Sequence, residues 1–164
     1  MKYAPHDYQA YAIDYIETHP IATVFLDMGL GKTSITLTAI KNLLFDSFEV
    51  YRVLVIAPLR VARDTWPTEI QKWDHLKGLT YSVAVGTAKV RREALRQKTF
   101  VHIINRENVQ WLIEDSGIYD AAVVIRRFLS KEIQESRSPF TVISQAVFHG
   151  HQRKTVTTFR QNDQ

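Results

Sequence analysis

The residues FLDMGLGKTS, Phe25 to Ser34, set two glycines, a lysine and a threonine where a short apolar run gives way to a helical pattern. A loop of this kind points consecutive backbone N–H groups at one spot. The N-terminus of the following helix adds partial positive charge, and the product is an anion cradle. Gly29 and Gly31 allow the tight turn that side chains would block. Lys32 is placed to reach the β and γ phosphates of a nucleotide, and Thr33 to set its hydroxyl on Mg²⁺. Met28, Leu30 and Ser34 complete the loop, so the expected ligands are ATP and Mg²⁺. The general pattern G-x-x-x-x-G-K-[ST] would put its first glycine at position 26, which is Leu26 here. The fit is to the shorter form G-x-G-K-T.

Hydrolysis of a bound nucleotide needs more than a cradle. An acid must help hold the metal, and an acid must position the attacking water. The segment YDAAVVIRRFLS, Tyr119 to Ser130, has the apolar strand that would deliver such acids. It continues instead with Arg126 and Arg127. A cation can neither ligate Mg²⁺ nor accept a proton from water.

The elements that must position these groups are legible as an alternation. HDYQAYAIDYIET carries apolar residues at helical spacing, and ATVFLD (22–27) is a short apolar run that predicts a buried strand. SITLTAIKNLLF predicts a helix and YRVLVIAP a strand stopped by Pro58. RVARDTWPTEIQKW predicts a helix that starts or kinks at Pro67. LTYSVAVG, TFVHIIN and YDAAVVI predict further strands. AKVRREALRQ and ENVQWLIEDSG predict helices, the second closed by Gly117. Strands separated by helices imply an α/β fold with a mainly parallel sheet. Beyond Ile125 the period fades, leaving a weak helix (129–135) and a weak strand (140–143).

The chain has 164 residues and 45% apolar content, enough for one domain with a full core. No apolar run approaches the roughly 18–20 residues of a membrane span, and MKYAPHDYQA lacks the apolar block of a signal peptide. Zero cysteines exclude disulfides and thiolate metal sites. The expected location is the cytoplasm of a bacterial or phage-infected cell. The net charge of +4 is unevenly placed. Residues 1–124 hold 14 Lys/Arg and 14 Asp/Glu, whereas residues 125–164 hold 7 and 3. Net charge is therefore no evidence that the main body binds nucleic acid.

DMGLGKT (27–33) resembles motif I of the Swi/Snf-like branch of superfamily two helicases and DNA translocases, notably the short phage and bacterial forms. HDYQAYAIDYI (6–16) resembles the adenine-reading segment that precedes it. VLVIAPLRVARDTWPTEIQKW (53–73) resembles motif Ia, and INRENVQWL (104–112) the motif Ib region. The resemblance covers about residues 3–125 and implies a RecA-like P-loop NTPase lobe, incomplete at its C-terminus. It implies that Gln9 reads adenine, since a carboxamide both donates and accepts. Tyr3 and Tyr8 read either as packing for the base or as core aromatics. Pro58, Arg60 and Arg63 would lie along the nucleic-acid backbone, as would Asn105 and Arg106. Trp66 and Trp73 read as packing residues. The implied partner is double-stranded DNA.

In this family an Asp-Glu pair follows the strand that here ends at Ile125. Codons GAC GAN read one base early, behind A or C, become (A/C)GA CGA and encode Arg-Arg. A reading-frame slip after Ile125 accounts for the lost acids, the lost period and the charge shift together; a divergent C-terminus is the rival account. The family also places an arginine finger on a second lobe, and the chain stops before one. The expected organisation is a partial ATP-binding domain over 1–125 and an atypical basic tail over 126–164. The expected function is the nucleotide-binding lobe of a translocase without turnover of its own. The alternative is a non-catalytic nucleotide- or DNA-binding regulatory module. Oligomeric state is not legible.

Overall fold

The structure, a computed structural model, describes residues 1–19, 22–48, 50–115 and 140–144. Its elements run α1 (Asp7–Thr18), α2 (Lys32–Phe45), β1 (Arg52–Ala57), α3 (Trp66–Lys72), β2 (Tyr81–Ala84), α4 (Ala88–Arg96), β3 (Val101–Asn105), α5 (Val109–Asp115) and β4 (Phe140–Ser144). The four strands form one parallel sheet in the order β2-β3-β1-β4. This is the expected α/β lobe.

The apolar pattern explains who sits where. β1 and β3 are buried along almost their whole length, because both are covered on two faces. Val53, Val55, Val101 and Ile103 point to the side packed by Leu37 and Ile40 of α2 and by Trp66 and Ile70 of α3. Leu54, Ile56 and Ile104 point to the side packed by Leu95 of α4 and Leu112 of α5. β2 alternates half-buried and buried residues, as an edge strand does. A third cluster seats α1 on α2 through Ala12, Ile13, Ile35 and Ala39. His102 of β3 is fully buried, and its Nε2 lies 3.2 Å from the Gln97 carbonyl. Burial holds its pKa below the ordinary histidine value.

Pro67 shapes the approach to α3. It has no N–H to offer a preceding carbonyl, and its ring crowds the turn before it. The chain answers with a wide π-turn over Val61–Thr65, in which the Trp66 N–H reaches back to the Val61 carbonyl. Regular α-helix follows, with Pro67 in its first turn.

One expectation is corrected. The run Ala22–Asp27 is not a sheet strand. It alternates half-buried and exposed residues, with Val24 and Leu26 packed against the α1–α2 cluster and Phe25 exposed. Apolar content alone does not make a strand; a neighbour must complete the ladder, and no described strand does so. The expected strand at 119–125, the helix at 129–135 and the Gly117 stop lie outside the described residues, as do Arg126 and Arg127. The weak strand signal near 140 is β4, which pairs parallel to β1 with Arg52 opposite Phe140 and Val55 opposite Ile143. The tail thus contributes to the sheet.

Candidate functional site

The loop before α2 turns on two glycines. Gly29 and Gly31 have φ of +85° and +76°, a region in which side-chain-bearing residues are strained. Gly31 is the residue from which α2 starts. A Cβ built on it would lie 2.7 Å from Gln9 Nε2 and 2.9 Å from Ser34 Oγ, whereas one on Gly29 would meet open space. The first glycine is required by the turn alone, the second by the turn and by close packing.

Lys32 folds back over this loop. Its Nζ donates to the carbonyls of Leu26 at 2.8 Å and Asp27 at 2.9 Å. The ammonium therefore sits across the mouth of the turn, held by neutral acceptors that an anionic ligand could replace. Ser34 Oγ donates to the Gly31 carbonyl at 2.9 Å and closes the first turn of α2. Met28 is largely exposed, and the carbonyl of Leu30 is taken up by α1.

Gln9 provides that link. It is 7% exposed. Its Oε1 accepts from the His6 N–H at 3.1 Å, and its Nε2 donates to the Leu30 carbonyl at 3.2 Å. Tyr8 adds a longer hydroxyl contact to the same carbonyl, 3.4 Å. Gln9 thus caps its own helix and holds the loop with opposite ends of one carboxamide. Tyr3 reaches Gln9 Oε1 at 3.5 Å, and burial raises its phenolic pKa.

These groups open on one cleft of about 660 Å³. Gln9, Gly29, Gly31, Lys32, Thr33 and Ser34 line it together. Six of the residues that sequence reasoning singled out are therefore brought to one place, although Gln9 and Ser34 lie 25 positions apart. The contribution of α3 and its end to the lining was missed: Glu69 and Lys72 join the cleft with Trp73, which the sequence reads as packing only. Glu69 accepts from Trp73 Nε1 at 2.7 Å and from Lys72 Nζ at 3.2 Å. The 69/72/73 spacing was the available signal, since residues three and four apart lie side by side on a helix. Trp66, read as a packing residue, is fully buried. Trp73 packs edge-on against Tyr3 with ring centroids 5.2 Å apart.

The second group of candidates gathers at the sheet's C-terminal edge. Ala57 pairs with Asn105, so Pro58 and Arg106 leave the sheet side by side. Arg60 is exposed one helical step beyond. Arg63 is exposed and ion-paired to Asp64 at 2.8 Å, which raises the guanidinium's pKa and lowers the carboxyl's. Asn105 is buried, and its side chain is committed to the turn that follows. It donates to Glu107 Oε2 at 2.8 Å and accepts from Asn108. Arg106 is exposed and contacts Glu107 at 3.3 Å. The Asn105 hydrogen bond, more than the Arg106 contact, holds the Glu107 carboxyl below the usual range.

No group of three or more His, Asp or Glu that could hold a metal is present among the described residues, and no described helix is long and apolar enough to cross a membrane. The residues of the cleft nonetheless fit a phosphate-bearing ligand: a helix N-terminus, two glycines in left-handed conformation and a lysine on backbone carbonyls.

Comparison with known sequences gives the family. The sequence profile of the SNF2-related domain matches residues 22–157, which takes in the loop and runs past Ile125. Putative protein p41 of Acyrthosiphon pisum secondary endosymbiont phage 1 is 39% identical over 116 residues. That alignment covers 70% of this chain and 25% of the phage protein, so the chain spans about a quarter of its relative's length. With a parallel α/β lobe, a G-x-G-K-T loop at the head of α2 and a profile match across most of its length, the chain belongs to the SNF2-related domain family.

Proposed function

We propose that the chain is the ATP-binding N-terminal lobe of a Swi/Snf-like DNA translocase, a family in which ATP hydrolysis is coupled to movement on DNA. One observation carries the reading: Lys32 lies across a loop bent by two left-handed glycines, and that loop faces a cleft large enough for a nucleotide. On this reading the backbone of Met28–Ser34 surrounds the phosphates. Lys32 exchanges its two carbonyl partners for phosphate oxygens. Thr33 would hold Mg²⁺ through its hydroxyl, and that ion would offset charge on the phosphates. Gln9, already at the loop, would offer adenine the N–H and the oxygen lone pair that its bonds to Leu30 and His6 leave over.

Double-stranded DNA would run along the edge where Pro58 and Arg106 emerge, with Arg60, Arg63 and Arg106 supplying phosphate contacts. Asn105 would act there by shaping the turn. Turnover is not expected of this polypeptide, because Arg126 and Arg127 follow the strand-like run at which the family carries Asp-Glu. The coding DNA distinguishes a reading-frame slip at that point from a divergent tail.

The test is a titration of Mg²⁺ and ATP against wild type and Lys32→Ala, with circular dichroism to verify folding and a DNA-stimulated ATPase assay alongside. Lys32→Ala should weaken binding at least about tenfold, the loss of one charge-assisted contact. Equal affinity in the two proteins would remove the phosphate-loop assignment. Robust DNA-stimulated hydrolysis by wild type would refute the claim of an incomplete site.

A further inference from the structure

Beneath the phosphate loop lies a set of polar side chains to which the nucleotide reading gives no role. Its outer member is His75, in the turn that follows α3. His75 Nε2 lies 3.0 Å from Thr38 Oγ1 on α2. Thr38 gives its single hydroxyl proton to the Ser34 carbonyl at 2.7 Å. The Thr38 oxygen can then only accept from His75, so the imidazole carries its proton on Nε2. Nδ1 is left bare and buried, with no hydrogen-bond partner among the described residues. The ring lies flat on Tyr3, centroids 4.8 Å apart at 18°.

Two routes lead from His75 to the loop. One passes through Thr38 to Ser34, whose Oγ holds the Gly31 carbonyl at 2.9 Å. The other passes through the stacked Tyr3 to Gln9 Oε1 at 3.5 Å, and from Gln9 Nε2 to the Leu30 carbonyl at 3.2 Å. They meet at adjacent residues, Leu30 and Gly31. There is no slack at that point, since Gln9 Nε2 and Ser34 Oγ both occupy the space that a Gly31 side chain would need.

We propose that His75, in its neutral Nε2–H form, is a positioning residue that holds the phosphate loop in shape, so that acidification weakens nucleotide binding through this one side chain. The proposal rests on the nucleotide-binding reading above. A second proton would have to enter at Nδ1, creating a buried donor with no acceptor in place. The ring would turn or leave, removing the surface on which Tyr3 stacks. The charged groups around it are Lys41 from α2, which opposes a positive imidazole, and Asp74 from its own turn, which favours one. Asp74 is itself neutralised by Lys77 at 2.8 Å and by the N-terminal amine at 3.3 Å. Burial and Lys41 prevail, and the ring's pKa lies below the ordinary value.

The test uses the full chain and four variants: His75→Gln, His75→Phe, His6→Gln and Lys32→Ala. Glutamine offers an amide donor to Thr38 without titrating. Amide shifts of Gly31 and Ser34 in the nucleotide-free protein, together with Mg²⁺–ATP affinity, are followed from pH 7.5 to 5.5. In wild type both amides should move with the His75 titration, and affinity should fall several-fold more than in His75→Gln, which shares any protonation of ATP itself. His75→Phe keeps the ring but not the donor and should bind several-fold more weakly at pH 7.5, with a pH profile no steeper than that of His75→Gln. His6→Gln, which removes the histidine that lines the cleft itself, should titrate like wild type. Amides that ignore His75, a His75→Gln profile matching wild type, or a titration abolished by His6→Gln would each overturn the proposal. If Lys32→Ala binds ATP like wild type, the nucleotide reading fails, and the nucleotide-free amide titration still decides the role of His75.

Discussion

Gly31 and Gly29 look alike in the sequence, yet they are held by different constraints. Both have positive φ, but only Gly31 has neighbours where a methyl group would go. Gly29→Ala should lower stability by about 1–2 kcal/mol from backbone strain alone. Gly31→Ala adds displacement of Gln9 and Ser34 and should lower stability by about 2–4 kcal/mol, the strain and a lost hydrogen bond combined. Thermal unfolding of the two variants checks the order; equal losses would mean that the Gln9 contact constrains nothing. The loop was legible because its residues are consecutive and each has a chemical reason to be there. The links Gln9–Leu30, Tyr3–His75 and Thr38–His75 were not, because each depends on how distant segments dock. The ion pair of Arg63 with its neighbour Asp64 was equally hidden, since adjacency along the chain does not reveal which side chains meet.

At the level of elements, a continuous apolar run has two outcomes here. VLVIA and VHIIN are central strands, buried on both faces. ATVFLD has a similar composition and no ladder among the described residues. Composition reports that a segment avoids water; it does not supply the partner that satisfies its backbone. Proline was more informative. Pro67 announced a start or kink, and the π-turn is the form it took. Packing differences among strands are testable. Ile103→Ala, in the middle of β3 and fully buried, should destabilise by about 2–5 kcal/mol. Val83→Ala on the half-buried edge strand β2 should lose less than half of that. Denaturant midpoints with unchanged slopes would measure both; equal losses would contradict the assignment of β3 to the sheet interior.

Over the whole molecule, acid should act through two imidazoles, His102 buried and His75 half-buried. His75 and His102 both have folded-state pKa values below the ordinary one, in each case chiefly from burial. The unfolded chain then binds more protons as pH falls through about 6.5, so folding stability declines there and levels off below the folded pKa values. Melting temperature should therefore drop between pH 7 and pH 5.5, and His102→Gln should flatten part of that slope; a melting temperature that rises on acidification would reverse the sign argued here. The fold class was readable from the alternation of strands and helices, and the two-glycine turn before α2 from its motif. The part of α3 in the cleft and the place of β4 beside β1 emerged only when the chain was folded. The extended segment Ala22–Asp27 carries one more implication. It meets the α1–α2 cluster through side chains, outside the hydrogen-bonded framework of the sheet, and the loop hangs from its end. On the proposed reading, ligand affinity and global stability are separable at a residue such as Lys32, whose side chain bonds only carbonyls of the loop and whose loss leaves the sheet and its clusters intact. Lys32→Ala should then weaken the proposed nucleotide binding with little change in melting temperature, unlike the glycine substitutions, and a normal melt is no certificate of a working loop.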